Sequence, residues 1–128
     1  MLSFDGNTAP YLQYAHARIC SIFRRAGVDR SSVAGRTPRI EAEQERALAL
    51  ALLGFDSAVA DTLERYSPHR LCTYLYDLST AFSAFYEHCP VLKAEGEVRE
   101  SRLVLCDLVA RVLNTGLGLL GIESPEQM

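Results

Sequence analysis

Apolar residues recur at helical spacing along most of this 128-residue chain, and the pattern divides into five segments. Residues that cap or stop helices stand between the segments, among them Gly27, Gly54 and the Ser67-Pro68 pair. The predicted helices cover residues 8–26, 41–53, 56–65, 68–88 and 98–120. No segment shows the apolar–polar alternation of a β-strand. The pattern therefore predicts an all-α fold, a bundle of about five helices.

The first predicted helix has two different faces. One is apolar and suits a core: Leu12, Ala15, Ile19, Ile22, Phe23 and Ala26. The other carries rings, a hydroxyl and guanidiniums: Tyr11, Tyr14, Arg18, Ser21 and Arg25. Because rings stack on unpaired bases and guanidiniums meet phosphates, the second face predicts a surface for single-stranded nucleic acid. The alternative is that the tyrosines pack a helix junction and the arginines are merely solvated.

The last two predicted helices differ in character. The fourth presents tyrosines and hydroxyls on a partly polar face, with Arg70 and Tyr74 beside it. The fifth is apolar almost all round, which is typical of a buried helix. Asp107 and Arg111 are one turn apart in it and are predicted to pair on its outer side.

Charge is unevenly distributed along the chain. The formal net charge of −3 argues against a protein that binds any polyanion regardless of sequence. Residues 1–39, however, carry six arginines and two aspartates, a net charge of +4. An anion site is therefore expected in this N-terminal third. Residues 27–39 are rich in Gly, Ser, Arg and Pro without an apolar period, which predicts a mobile basic loop.

The sequence predicts neither a complete active site nor a metal site. A Gly-x-Gly-x-x-Gly pattern at residues 116–121 lies in an apolar helix with no strand before it, so it does not indicate a dinucleotide site. The three histidines lack metal-ligand spacing and are expected at the surface or at caps. Glu41, Glu43 and Glu45 are expected to form a solvated face. The four cysteines lack CxxC pairing and indicate reduced core thiols of a cytoplasmic protein.

Three segments, taken together, carry a family resemblance. Residues 6–18 read Gly-Asn-Thr-Ala-Pro-Tyr-Leu-Gln-Tyr-Ala-His-Ala-Arg, residues 68–78 read Pro-His-Arg-Leu-Cys-Thr-Tyr-Leu-Tyr-Asp-Leu, and residues 113–122 read Leu-Asn-Thr-Gly-Leu-Gly-Leu-Leu-Gly-Ile. In this order they resemble the C-terminal anticodon-binding (DALR) domain of arginyl-tRNA synthetases. The chain end is similar too, although Gln127 stands where the family usually has arginine. The chain is thus expected to be a single domain, residues 1–128, excised from a longer enzyme.

The resemblance implies partners and chemistry. The domain would hold the anticodon loop of arginine tRNA and pack beside the catalytic domain of its own parent chain, in the cytoplasm, with no membrane or DNA partner. The parent enzyme would use ATP and Mg to attach arginine to the tRNA. The domain itself would carry no cofactor and no catalytic residue, so it should be inactive alone.

The resemblance also implies which residues contact RNA. The family's anticodon-facing positions match Tyr11, Tyr14, Arg18, Tyr86 and Met128. Because the first and fourth helices each present a tyrosine on a polar face, we expect bases to stack on Tyr14 and Tyr86. Pro90 stands where some members carry an aromatic residue. Three further candidates from the polar faces complete the predicted RNA-binding set: Arg25, Arg70 and Tyr74.

Two other interpretations remain open at this point. The chain could be a stand-alone helical module that binds a protein partner through the face of Tyr11 and Tyr14. It could also be the related anticodon domain of another class I synthetase. The Tyr-Leu-Gln-Tyr-Ala-His-Ala-Arg segment argues against the second of these.

Overall fold

The computed structural model of the protein describes residues 8–128. Five α-helices and one 3-10 turn follow one another in this part of the chain: α1 (Thr8–Ala26), the turn (Arg30–Ser32), α2 (Glu43–Leu53), α3 (Phe55–Arg65), α4 (Pro68–His88) and α5 (Gly96–Leu119). These described residues contain no strand, which confirms the predicted all-α class. The turn predicted at Asp5-Gly6-Asn7 lies outside the described residues.

α1 and α4 lie side by side and run in the same direction. Tyr11, near the start of α1, contacts Tyr76, and Arg18, two turns later, contacts Tyr86. α5 runs antiparallel to α1: Arg99, near the start of α5, donates to the carbonyl of Ala26 at the end of α1. The polar faces of the first and fourth helices therefore meet along one side of the bundle.

α5 contributes eleven buried residues, the largest number of any helix described, as its apolar sequence predicts. Gly116 allows it to approach α4 closely, since a Cβ there would lie 2.7 Å from a methyl carbon of Leu75. Gly121 then ends the helix with φ 75°. Two glycines of the Gly-x-Gly-x-x-Gly pattern thus serve packing and helix termination.

The start of α2 corrects one prediction. Glu45 is buried, and its Oε1 accepts hydrogen bonds from the backbone amides of Glu41 and Ala42 at 3.1 and 2.7 Å. Its Oε2 lies 3.3 Å from Nε of Arg102 on α5. The carboxylate therefore caps the helix and joins it to α5, so the predicted solvated acidic face is wrong at this residue.

The connection between α1 and α2, residues 27–42, corrects a second prediction. It is docked along α5: Arg30 Nε lies 2.8 Å from Asp107 Oδ1, and Arg36 pairs with Glu100. The backbone of Arg39 both donates to and accepts from the hydroxyl of Ser101, at 2.7 and 3.0 Å. The prediction of a mobile loop is wrong because carboxylates on α5 hold its arginines, a long-range pairing that composition does not reveal.

Asp107 lies at the centre of this docking. It is only 2% exposed and accepts from both Arg30 and Arg111, each at 2.8 Å. The predicted pair with Arg111 exists, but the aspartate is buried rather than on the outer side of the helix.

All four cysteines lie in the core, as predicted. Burial raises the pKa of the Cys106 thiol to about 12, with the neighbouring Asp107 carboxylate adding to the effect. Burial also raises the pKa values of Cys20 and Cys89 above the ordinary thiol range.

Candidate nucleic-acid interface

Tyr11 contacts Tyr76 and Arg18 contacts Tyr86 where α1 and α4 lie together, and Tyr14 is exposed on the same side of α1. We call this surface the aromatic face (Tyr11, Tyr14, Arg18, Tyr76, Tyr86). The rings of Tyr11 and Tyr76 have centroids 5.2 Å apart and are tilted by 38°. This contact joins the two helices, so Tyr11 partly fulfils the packing role that was the alternative to RNA binding. Both functions are compatible, because its ring remains partly exposed.

Arg18 and Tyr86 form a cation–π pair. The guanidinium carbon lies 4.9 Å from the centroid of the tyrosine ring. The same ring stacks on Phe82, with centroids 6.0 Å apart and planes 17° apart. Since Arg18 covers one side of Tyr86, a base can reach that side only if the guanidinium moves.

Tyr14 is the most open ring of the aromatic face. It is 58% exposed, and among residues 8–128 no other ring packs on it. It follows Tyr11 by three residues on α1 and precedes Arg18 by four, so the three side chains share one side of the helix. An exposed ring one turn from a guanidinium has the geometry that base stacking and phosphate binding require.

Two predicted RNA-binding residues lie elsewhere. The Tyr74 hydroxyl donates to the carbonyl of Ala51 on α2 at 2.6 Å, and its ring packs on Phe55 of α3. Burial, with a smaller effect of the Asp56 carboxylate, raises the pKa of Tyr74 to about 12. This tyrosine therefore ties α4 to its neighbours and is separated from the aromatic face.

Arg70 lies on the same side of α4 as Tyr74. Its Nη1 is 3.0 Å from Oδ2 of Asp61, which also accepts from Arg65 at 3.0 Å. The hydrogen bond from Arg65 and the charge of Arg70 lower the pKa of the Asp61 carboxyl group. Arg70 thus borders a polar groove of about 530 Å³ between α3 and α4 rather than the aromatic face.

Two predicted RNA contacts remain: one lies at the end of α1 and the other at the end of the chain. Arg25 is exposed in the last turn of α1. Met128 is 68% exposed at the end of the carboxy-terminal segment, residues 121–128. This segment lies along α1, where Gln13, His16 and Arg24 bond to its backbone.

Comparison with known proteins decides the family. The family described as "DALR anticodon binding domain" matches residues 12–128. This chain belongs to the DALR anticodon-binding domain family. Arginine–tRNA ligases of Sodalis glossinidius and Cellvibrio japonicus are 56% and 54% identical to all of the chain, which spans only 22% of each relative.

Solved structures agree with this assignment. Arginyl-tRNA synthetase from Thermus thermophilus is 44% identical over 98% of the chain, with a TM-score of 0.83. The enzyme from Plasmodium falciparum is 35% identical over 99%, with a TM-score of 0.84. The chain corresponds to 22% of each of these proteins. The predicted family and fold are therefore confirmed, and the anticodon-binding interpretation is favoured over a stand-alone protein-binding module.

The position of His16 in this DALR domain corrects a further prediction. His16 is 3% exposed and lies under the carboxy-terminal segment, whereas histidines were expected at the surface or at caps. Helical spacing alone places Gln13, His16 and Arg24 on a third side of α1, apart from both the core face and the aromatic face. That third side is the one that the carboxy-terminal segment covers.

Residues 8–128 of this DALR domain contain no cluster of histidine, cysteine and acidic side chains that could hold a metal ion. In the same part of the chain, no helix is long and apolar enough to cross a membrane.

Proposed function

We propose that this DALR domain binds the anticodon loop of arginine tRNA through the aromatic face. One observation carries the proposal: the exposed ring of Tyr14 lies one turn from Arg18, which is held over Tyr86. Unpaired anticodon bases present flat faces to stack on and a phosphate backbone to neutralise. The aromatic face offers both kinds of contact within two turns of α1.

Charge supports the aromatic face over other basic parts of the protein. Arg30, Arg36 and Arg39 of the docked connection all form ion pairs with carboxylates of α5. Within residues 8–128, Arg18 and Arg25 form no ion pair, so their guanidiniums can bind phosphate without first releasing a carboxylate. The positive charge of the N-terminal third is thus available mainly on α1.

Tyr14 and Tyr86 take different parts in this proposal. Tyr14 is the open platform on which a base stacks. Tyr86 holds the Arg18 guanidinium by its ring, which orders the long side chain before RNA arrives and reduces the entropy lost on binding. A base stacks on the covered side of Tyr86 only if Arg18 turns toward a phosphate at the same time.

We further propose that the domain serves an arginine–tRNA ligase of the cytoplasm. In that enzyme the catalytic domain uses ATP and Mg to activate arginine and transfers it to the tRNA. The DALR domain contributes selection and positioning of the tRNA. The 128-residue protein alone is expected to show no arginine-dependent pyrophosphate exchange; measurable exchange would contradict this division of labour.

The test is a titration of the protein with an arginine-tRNA anticodon stem-loop. Stacking is worth about 1–3 kcal/mol per base, so Tyr14→Ala is expected to weaken binding roughly 5- to 150-fold. Tyr66→Ala is the matched control, because Tyr66 is a 92% exposed tyrosine at the end of α3. It is expected to bind as the wild type does.

A second stem-loop with an altered anticodon measures selectivity. Weaker binding of this loop by the wild type is expected. If Tyr14→Ala binds the arginine stem-loop as tightly as the wild type, the aromatic face is not the RNA surface. Competition for that face by a second protein, without RNA binding, would favour the protein-binding module instead.

A further inference from the structure

The carboxy-terminal segment turns back onto α1 immediately after α5. Gly121 adopts φ 75°, and the amide of Ile122 donates to the carbonyl of Leu117 at 2.8 Å. This pair of features is a Schellman motif, which reverses the chain direction at the end of a helix. Ser124 then donates to the side chain of Asn114. The chain end is thereby directed along α1.

Three side chains of α1 hold this segment by its backbone. Gln13 Nε2 donates to the carbonyl of Glu123 at 2.9 Å, and Arg24 Nη1 donates to the carbonyl of Glu126 at 3.2 Å. Between them, Nδ1 of His16 lies 3.1 Å from the carbonyl oxygen of Pro125. A carbonyl can only accept, so His16 donates to it in the tautomer that carries the proton on Nδ1; the sulfur of Cys20 lies 3.9 Å from the same nitrogen.

The three contacts follow the same order along α1 and along the carboxy-terminal segment; we call the three residues of α1 that make them the clamp (Gln13, His16, Arg24). Residues 13, 16 and 24 of α1 meet residues 123, 125 and 126 in the same order. The middle member, His16, is almost completely buried, so the segment covers it. Because all three acceptors are backbone carbonyls, the clamp does not depend on the side chains of the segment itself. Those side chains stay available for another partner.

The clamp also fixes where the chain ends. Two residues follow Glu126, and an extended chain advances at most about 3.5 Å per residue, so Met128 lies within about 7 Å of the clamped carbonyl. That carbonyl is bonded to Arg24, the neighbour of Arg25 on α1. The exposed Met128 side chain is therefore tethered to the last turn of α1 through Arg24.

We propose that Gln13, His16 and Arg24 are positioning residues that hold Met128 against the bound anticodon loop. The inference rests on the proposed function, which supplies the RNA. His16 acts through the Pro125 carbonyl and itself touches no RNA. Without the clamp the chain end loses its fixed place, and RNA binding must then pay the entropy of ordering it.

The first measurement needs no RNA. The chain has two methionines, Met1 and Met128, so a protein labelled at the methionine methyl carbons gives two signals in NMR spectra. Met128→Leu identifies the signal of the chain end. His16→Ala is expected to sharpen that signal and slow its transverse relaxation. His69→Ala, at a histidine on α4, is the matched control and is expected to leave it unchanged.

A conservative variant separates positioning from general packing. The amide nitrogen of asparagine can occupy the place of Nδ1, so His16→Asn is expected to keep the Met128 signal broad. His16→Phe retains bulk but no donor and is expected to behave as His16→Ala does. If all three substitutions leave the signal unchanged, or all three alter it equally, the clamp is overturned.

The second measurement is stem-loop affinity in a double-mutant cycle. One neutral hydrogen bond is worth about 1 kcal/mol, so His16→Ala is expected to weaken binding about fivefold. In a Met128→Ala background it should weaken binding much less, because both changes remove the same ordered chain end. Fully additive effects would overturn the positioning role.

The outcomes distinguish the clamp from the proposed function. If His16→Ala sharpens the Met128 signal while its affinity equals that of the wild type, the role of the chain end in RNA binding is wrong. The aromatic face still stands in that case, provided that Tyr14→Ala weakens binding. If the wild-type protein does not bind the stem-loop at all, the proposed function fails, and the positioning role fails with it.

Discussion

Two arginine-rich regions of this protein show how differently the same side chain can be used. In the docked connection, residues 27–42, three arginines pair with carboxylates of α5. On the aromatic face, Arg18 lies against the ring of Tyr86. A carboxylate neutralises the charge of a guanidinium and occupies its N–H donors. An aromatic ring under the guanidinium leaves those N–H donors able to bind an anion. The number of arginines therefore does not locate the anion surface; their partners do.

The difference begins with Asp107. A buried carboxylate is costly unless hydrogen bonds and opposite charge surround it, and Asp107 obtains both from Arg30 and Arg111. The connection is consequently part of the framework of the protein. The aromatic face has no buried charge to neutralise, so its side chains are free to serve a ligand.

The largest expected effect is a loss of stability when the docked connection is released from Asp107. Asp107→Asn removes the carboxylate charge shared by two guanidiniums, and we expect it to lower the free energy of unfolding by about 3 kcal/mol. This value is at the low end for a buried pair because both arginines are partly exposed. Urea unfolding measures the loss, and stem-loop affinity at a temperature where the variant is folded should stay within about twofold. A large loss of affinity would place the connection in the RNA surface.

The next effect tests how Tyr86 supports Arg18. Tyr86→Ala removes the ring under the guanidinium, and we expect stem-loop binding to weaken roughly five- to tenfold. Tyr86→Phe keeps the ring and should bind within about twofold of the wild type. Equal losses in the two variants would show that the hydroxyl, and not the ring, is what matters.

A third prediction concerns the tyrosine that lies away from the aromatic face. Tyr74→Phe removes the hydroxyl that donates to the Ala51 carbonyl, which keeps its hydrogen bond from the Gly54 amide. The loss is expected to cost about 1 kcal/mol of stability, with no change in RNA affinity. Circular dichroism during urea unfolding gives the first quantity. Reduced RNA affinity in this variant would extend the RNA surface to the groove between α3 and α4.

The stability difference between Tyr74→Phe and the wild type is also expected to depend on pH. Its folded-state pKa is about 12, above the ordinary value of 10.0, so the folded protein retains this proton more tightly than the unfolded chain. The stabilisation is complete below pH 10 and is lost as the pH rises toward 12. The free energy of unfolding of Tyr74→Phe should therefore fall less over this range than that of the wild type.

The smallest expected effect compares one arginine from each region. Arg25→Ala should weaken stem-loop binding slightly and reduce the salt slope by about 0.7, as expected for one phosphate contact with a single strand. Arg36→Ala should leave the slope unchanged, because Glu100 already holds that guanidinium. Identical slopes in both variants would remove the distinction between the two regions.

The helices could be predicted from the sequence because their apolar residues repeat with the period of the α-helix and their ends carry residues such as Gly27 and Pro68. The burial of α5 followed from its apolar composition. The docking of residues 27–42 could not be predicted, since it depends on Asp107 and Ser101, which lie more than sixty residues further along the chain. A basic loop and a docked one have the same composition.

The site was predicted less evenly than the fold. Tyr74 and Tyr86 lie on the same helix and look alike in the sequence. At about 100° per residue, twelve residues turn the helix by about 120° beyond whole turns, so the two rings point in different directions. Which direction meets α1 and which meets α2 and α3 is decided by the packing of the bundle.

The buried cysteines have a practical consequence for every experiment on this protein. Thiolate is the species that alkylating reagents and oxidants attack, and the raised pKa values of Cys20, Cys89 and Cys106 keep these thiols protonated at neutral pH. Cys72 is 1% exposed and is equally hard for a reagent to reach. A cysteine introduced on the surface, for example Gln127→Cys, should therefore react with a maleimide dye far faster than any native thiol. Fluorescence from the chain end could then be recorded without first removing the four cysteines.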